Sequence, residues 1–194
     1  GFQTDTDATN FARYVESECH HSGDRIRGYD TGMRVMRIGS FAVGVEAESF
    51  AKMARRAIKS SFVSGVLSSL SGRAMIIGVD RLDYSKGIGN RIVAFERFLE
   101  QHPDWRNNVT YLQITPKSRS AIPEYNDMER DVSAVVGRVN GKYGEASWTP
   151  VRYVNRAHTR TALAGLYRGS RAALVTPLRD GMNLVAKEFV AAQD

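Results

Sequence analysis

From residue 74 onward the chain alternates short apolar runs with amphipathic ones, and few folds accommodate that rhythm. "AMIIGVD" (74–80), "VTYLQIT" (109–115), "VRYV" (151–154) and "AALVT" (172–176) read as strands. Helical patterns separate them. "NRIVAFERFLEQH" (90–102) puts Ile92, Phe95 and Leu99 on one face with Phe98 beside them. Met128, Val132, Val135, Val136 and Val139 repeat at helical spacing within 122–139. "TALAGLYRGS" (161–170) reads as a helix ending in Gly169, and "NLVAKEFVAAQ" (183–193) as another. Strands alternating with helices predict an α/β fold, a parallel sheet with helices on both faces and right-handed crossovers.

The first seventy residues follow a different pattern. "TDATNFARYVESEC" is helical, with Thr4 or Asp5 as its cap, and "MRVMRIG" reads as a strand. "ESFAKMARRAIKSSFVSGVLSSL" is helical, with Phe50, Met53, Ala54 and Ala57 on one face and a break near Ser60. Small residues in "GSFAVG" place a boundary near residues 39–45, which assigns 1–40 to the end of one domain and its crossover, and 41–194 to a second domain. There is no internal repeat and no low-complexity tract. The chain has no initiating Met and stops on "VAAQD" within a helical pattern, so it reads as an internal stretch of a longer protein.

Bulk properties narrow the function. No apolar run approaches the roughly 18 residues of a membrane span, and the first residues are neither a signal nor a transit peptide. Cys19 is the only cysteine, which excludes an internal disulfide and a Cys-based zinc site and suits a reducing cytoplasm. The histidines form no metal-ligand pattern: His20 and His21 fall near a helix end, where they would cap carbonyls, and His102 sits where a helix dipole favours it. The net charge of +6 suits an anionic partner, either phosphate groups on a small ligand or a nucleic-acid backbone. The basic residues are scattered among acids and no nucleic-acid signature accompanies them, so nucleic acid ranks well behind.

Ligands of open parallel sheets bind beyond the carboxyl ends of the strands. The first such end is "GVDRLDYSKGI" (78–88), where Arg81, Asp83 and Lys86 precede Gly87. Arginine's fixed fork and lysine's mobile charge suit a diphosphate, but salt bridges from Arg81 to Asp83 or Asp80 explain the composition equally well. The second end, "TPKSRS" (115–120), offers Lys117 and Arg119; a solvated loop is the better reading of Lys117. The last is "TPLRDGMNLVAKE" (176–188), where Asn183 would cap a helix. The N–H groups of Leu184 and Val185 would then face outward, where an anion is favoured. Glu188, on the second turn, would receive sugar hydroxyls or stand in solvent. "RVNGKYGEASWTP" (138–150) reads as a turn-rich loop in which Trp148 serves packing.

"VDRLDYSKGI", "GRVNGKYGEASWTPVRYVN" and above all "TPLRDGMNLVAKEFVAAQD" resemble the trehalose-6-phosphate synthase family, glycosyltransferase family 20. "GFQTDTDATNF" and "AVGVEAESF" look like that family's passage from its first domain to its second. The resemblance implies a GT-B fold, two Rossmann-like domains across a cleft, with residues 41–194 in the nucleotide-sugar (donor) domain. It implies retaining transfer of glucose from UDP-glucose to glucose 6-phosphate, with no cofactor and no metal. It also implies the residues. Arg81 and Lys86 match the pair gripping the donor diphosphate, which with Asp180 make the catalytic set. Asp180, Gly181, Met182 and Asn183 match the loop around the transferred glucose. Leu184 and Val185 match main-chain phosphate contacts, Ala186 and Lys187 continue that donor segment, and Glu188 matches the ribose contact. His158 falls where the main chain touches the nucleobase, and Arg119 matches the arginine reaching the acceptor phosphate.

The chain departs from the family in "GIGNR", where many members carry Gly-Leu-Pro, and in "AVGV", where Pro-Ile-Gly-Ile is usual. The resemblance also carries no membrane partner, a cytoplasmic location, an osmoprotective product, and room for a homo-oligomer in the full-length protein. Two alternatives remain: a relative using another phosphorylated acceptor such as glycerol 3-phosphate, and a catalytically silent, regulatory synthase-like domain. Intact Arg81, Lys86, Asp180 and Glu188 argue against the silent domain. A generic dinucleotide module is more distant, since no G-x-G-x-x-G follows a strand.

Overall fold

A computed structural model describes residues 1–116 and 123–193 of the chain, with nothing described of the Pro123 side chain. It divides into two compact units, Gly1–Gly44 and Val45–Asp194. In the first, α1 (Asp5–Ser17) starts where Thr4 Oγ1 accepts the Asp7 N–H at 3.1 Å, with Asp5 and Asp7 in the first turn. Capping by a hydroxyl and carboxylates near the positive helix end both favour a start here. The helix buries Ala8, Ala12 and Val15 in a small core with Tyr29 and Ile38. Strands β1 (Gly23–Asp24), β2 (Gly28–Asp30) and β3 (Val35–Met36) form an antiparallel sheet in that order. The strand expected over "MRVMRIG" is therefore only two residues long.

The second unit opens with α2 (Ala47–Ala57) and α3 (Ser61–Ser68), separated where Ser60 accepts the Val63 N–H at 3.3 Å. The alternation then follows: β4 (Ala74–Val79), α4 (Ile88–Gln101), β5 (Val109–Ile114), α5 (Pro123–Tyr143), β6 (Val151–Val154), α6 (Arg160–Gly169), β7 (Ala172–Ala173) and α7 (Leu184–Ala192). The sheet order is β6-β5-β4-β7, with every pairing parallel.

Period-2 alternation sends successive side chains of the sheet to opposite faces. Met75, Ile77, Val79, Leu112 and Ile114 join a core with Phe50, Ala54, Val63, Leu166 and Tyr167, from the helices of one layer. Val109, Tyr111 and Val151 meet Ile92, Phe95, Leu99, Val132, Val136 and Val139 from α4 and α5 on the other. Burial on both faces is why β4 and β5 read as nearly continuous apolar runs.

Two expectations change in length. The last strand, expected over 172–176, is confined to Ala172–Ala173, although Leu174 N still donates to Ile77 O at 2.9 Å. Beyond it the chain leaves the sheet, and Thr176 is held by a side chain from α4. The loop expected over 138–150 is helical as far as Tyr143. Val139 is buried there, and the Asn140 amide exchanges two bonds of 2.9 Å with the main chain of Val151. These contacts override the helix-weakening Gly137 and Gly141. Trp148 does pack, and its indole N–H donates to Val109 O at 2.9 Å.

Candidate functional site

The charge-dense end of β4 separates into groups with different partners. Asp80 extends the ladder through its N–H to Ile114 O at 3.1 Å, and its carboxylate turns inward to Arg91. Arg81 is exposed and Leu82 is buried. Asp83 accepts from the Ser85 N–H at 2.9 Å and the Ser85 hydroxyl at 2.7 Å, which caps a 3-10 turn over Tyr84–Lys86. Gly87 follows at φ 60°, and α4 begins at once. A left-handed residue here favours glycine, and a Cβ would also stand 3.1 Å from Leu178 Cγ. Burial works against ionisation of Asp83, but the Ser85 bonds and Arg81 outweigh it and hold the carboxyl below its usual range.

The last loop meets this turn directly. Ser85 O accepts from Leu178 N at 2.8 Å and Arg179 N at 3.2 Å. Lys86 Nζ donates to Asp180 Oδ2 at 2.6 Å, with side chains 16% and 19% exposed. Asn183 Nδ2 donates to the same carboxylate oxygen at 3.0 Å, while Asn183 Oδ1 accepts the Ala186 N–H at 3.3 Å. The Lys86 bond, followed by that of Asn183, holds the Asp180 carboxyl below its ordinary range. Asn183 thus caps α7 as its sequence predicts, leaving the Leu184 and Val185 N–H groups at the helix start. Gly181 and Met182 lie in the loop between Asp180 and that cap, and Ala186 and Lys187 complete the first turn of α7.

Glu188 is not simply solvated. Its side chain is 16% exposed and Oε1 lies 3.4 Å from Arg160 Nε, whose guanidinium stands 5.1 Å from the centre of the Phe50 ring. His158 lines a cavity of about 520 Å³ with Ser60, Phe62, Arg156 and Thr159. Its ring centre is 5.2 Å from that of Phe62, and burial, with Arg156 nearby, pushes its pKa down. Arg119 lies outside the described residues. No group of three or more His, Cys, Asp or Glu among the described residues could hold a metal ion, and no helix among them is long and apolar enough to cross a membrane.

Beneath these loops is a polar cluster, buried except at Thr176, that the sequence reading missed. Asp80 pairs with Arg91, not with Arg81. Arg91 Nε donates to Thr176 Oγ1 at 2.9 Å, Nη2 to Lys86 O at 3.2 Å and Nη1 to Gln113 Oε1 at 3.3 Å. Tyr111 OH donates to Gln113 Oε1, and Gln113 Nε2 to Thr115 Oγ1 at 2.9 Å. Burial pushes the Asp80 carboxyl up, and Arg91 and then Lys86 oppose it. The guanidinium stays charged, and burial pushes the Tyr111 phenol well up although Arg91 alongside opposes it. The sequence did carry a signal: Arg91 lies three residues after Ile88 and four before Phe95, on the apolar stripe of α4.

A parallel sheet covered on both faces, with a lysine, a carboxylate and a capped helix start meeting past its strand ends, defines a Rossmann-like α/β domain. The chain belongs to glycosyltransferase family 20, whose family model matches residues 1–194. A trehalose-6-phosphate synthase of Sinorhizobium fredii is 52% identical over all of this chain and 42% of its own length. A UDP-forming alpha,alpha-trehalose-phosphate synthase of Burkholderia xenovorans, solved in complex with glucose-6-phosphate, superposes with a TM-score of 0.90 at 39% identity, over 100% of this chain and 43% of its own. An E. coli structure bound with UDP-2-fluoro glucose superposes with a TM-score of 0.85 at 36% identity, again over 100% and 43%. The fold is accordingly that of a GT-B glycosyltransferase domain. The chain spans about two fifths of the length of these relatives.

Proposed function

We propose that these residues form the donor side of a retaining glucosyltransferase that moves glucose from UDP-glucose to glucose 6-phosphate, giving α,α-trehalose 6-phosphate and UDP. The observation that carries this reading is the meeting of Lys86, Asp180 and the Asn183-capped start of α7 at one edge of the sheet. The names and ligands of the relatives supply the substrates.

In this reading the glycosidic C–O bond to the diphosphate breaks while the acceptor hydroxyl oxygen attacks the same face of the sugar. The leaving phosphate takes the hydroxyl proton. Negative charge grows on the departing UDP, and Arg81, Lys86 and the N–H groups of Leu184 and Val185 stabilise it most at the transition state. Asp180, with Gly181, Met182 and Asn183, holds the transferred glucose; Ala186 and Lys187 continue the donor-binding segment. Glu188 accepts the ribose hydroxyls, the main chain at His158 meets the nucleobase, and Arg119 meets the acceptor phosphate. A cytoplasmic setting fits the exposed, free Cys19.

The test is product analysis of the full-length protein with UDP-glucose and a panel of sugar phosphates. UDP release that depends on glucose 6-phosphate, with an α,α-linked product by NMR coupling, is expected. Release that depends on glycerol 3-phosphate instead, or on no acceptor, overturns the reading.

A further inference from the structure

We propose that Arg91 is a positioning residue for this site: a buried strut that fixes Lys86 and the 176–183 loop relative to each other. The inference rests on the functional reading above, and names a residue that touches no substrate.

The argument starts from what Arg91 joins. It is 2% exposed, rises from the first turn of α4 and runs back under the strand ends. Its acceptors belong to four separate segments: Asp80 at the end of β4, Gln113 on β5, the carbonyl of Lys86 itself, and the Thr176 hydroxyl at the root of the loop that carries Asp180. Above it, Lys86 Nζ and Asp180 Oδ2 meet at 2.6 Å, and Ser85 O receives Leu178 N and Arg179 N. The two loops are therefore tied above by one ion pair and two main-chain bonds, and from below by one rigid fork. Gly78 keeps the space open, since a Cβ there would overlap Gln113 Oε1 and Tyr111 OH and lie 3.1 Å from Arg91 Nη1.

Stability alone is a poor reason for such a cluster. A buried ion pair gains little net energy over well-packed apolar residues. An apolar side chain at this place on α4 would have continued the Ile88–Ile92–Phe95 stripe. What the guanidinium adds is geometry, because its planar donors address several acceptors at fixed angles and a lysine cannot. Charge stabilisation needs groups fixed before the reaction, and an error of about 1 Å costs on the order of 10²-fold in rate.

Full-length Thr176→Val, Thr176→Ser and Arg91→Lys proteins test this. Thr176→Val keeps the shape and removes the acceptor for Arg91 Nε, whereas Thr176→Ser keeps the hydroxyl. Thr176→Val is expected to stay folded at the assay temperature, to lower kcat by about 10- to 100-fold, and to leave the KM for UDP-glucose within about threefold. Thr176→Ser should return kcat to within about threefold, and Arg91→Lys should lower it by on the order of 10²-fold. An activity-independent reading is the rate of acylation of Lys86, followed by mass spectrometry. A loosened loop exposes that amine, so Thr176→Val and Arg91→Lys should react several-fold faster. Folded Thr176→Val protein with the parental kcat and the parental Lys86 acylation rate overturns the proposal. Equal losses in Thr176→Ser and Thr176→Val also overturn it. Should Arg91→Lys fail to fold, the two Thr176 variants decide. Should the parent protein transfer no glucose, the functional reading fails, and the acylation rates alone decide whether Arg91 holds the loops.

Discussion

Lys86 and Asp180, 94 residues apart in sequence, meet at 2.6 Å and close the gap between the first and last loops of the sheet. The pair has a consequence for binding, because a donor diphosphate and Asp180 compete for one ammonium. Asp180→Asn removes the competing charge. UDP should bind two- to fivefold tighter by calorimetry, about the size of a partly exposed ion pair. Glucose transfer should fall by on the order of 10²-fold, since Asp180 is assigned to the transferred sugar. Weaker UDP binding in Asp180→Asn would show that the two anions do not compete. Because the Asp180 carboxyl lies below its ordinary value, the stability it contributes is present above about pH 4 and is lost as pH falls through its folded value.

Arg81→Ala and Lys86→Ala, each in the full-length protein, should lower turnover by on the order of 10²-fold or more, the loss seen when one transition-state donor is removed. Steady-state UDP release measures it. Near-normal turnover in both variants would return these residues to the solvated surface.

Glu188→Gln should weaken UDP binding by about 1.5–3 kcal/mol while leaving glucose 6-phosphate binding intact, as expected for one lost hydrogen bond to a charged group. Titration calorimetry with each ligand reads the difference. An unchanged UDP dissociation constant would leave Glu188 with Arg160 as its only role.

Gly78→Ala should destabilise the protein by about 1–3 kcal/mol, since the added methyl overlaps a packed polar cluster rather than a flexible surface. Thermal unfolding of the full-length protein measures it. A Tm at or above the parental value would mean that the cluster under the strand ends yields easily.

His158 gives a pH signature of opposite origin to a salt-bridged histidine. Its folded pKa is pushed below the usual 6.5, so the unfolded chain takes up the proton first on acidification. Stability from this group is therefore complete above about pH 6.5 and is lost as pH falls below that value, levelling off beneath the folded pKa. His158→Phe should flatten the pH dependence of Tm between pH 7 and pH 5. An unchanged slope would assign that dependence to other groups.

Much of this molecule was settled by local chemistry. The apolar runs of β4 and β5, the Thr4 and Asn183 caps, the break near Ser60 and the stripes of α4 and α5 each follow from nearby residues, and so they were legible in the sequence. The strand ends that carry Arg81, Lys86 and Asp180 were legible too, because a parallel sheet places its loops at a known edge. The partners were not. In the sequence Asp80 offered itself as a salt-bridge partner to Arg81 one residue away, and only the fold brought Arg91 beneath it, out of water. Glu188 read as ribose contact or solvent, and Arg160 arrived from another helix. The last strand ended early, and the loop beyond it is tied to α4 by Arg91 reaching Thr176 from 85 residues away. Helix caps and periodicity depend on neighbours within a turn or two. The worth of a buried charge depends on what surrounds it in three dimensions, and that only the tertiary structure decides.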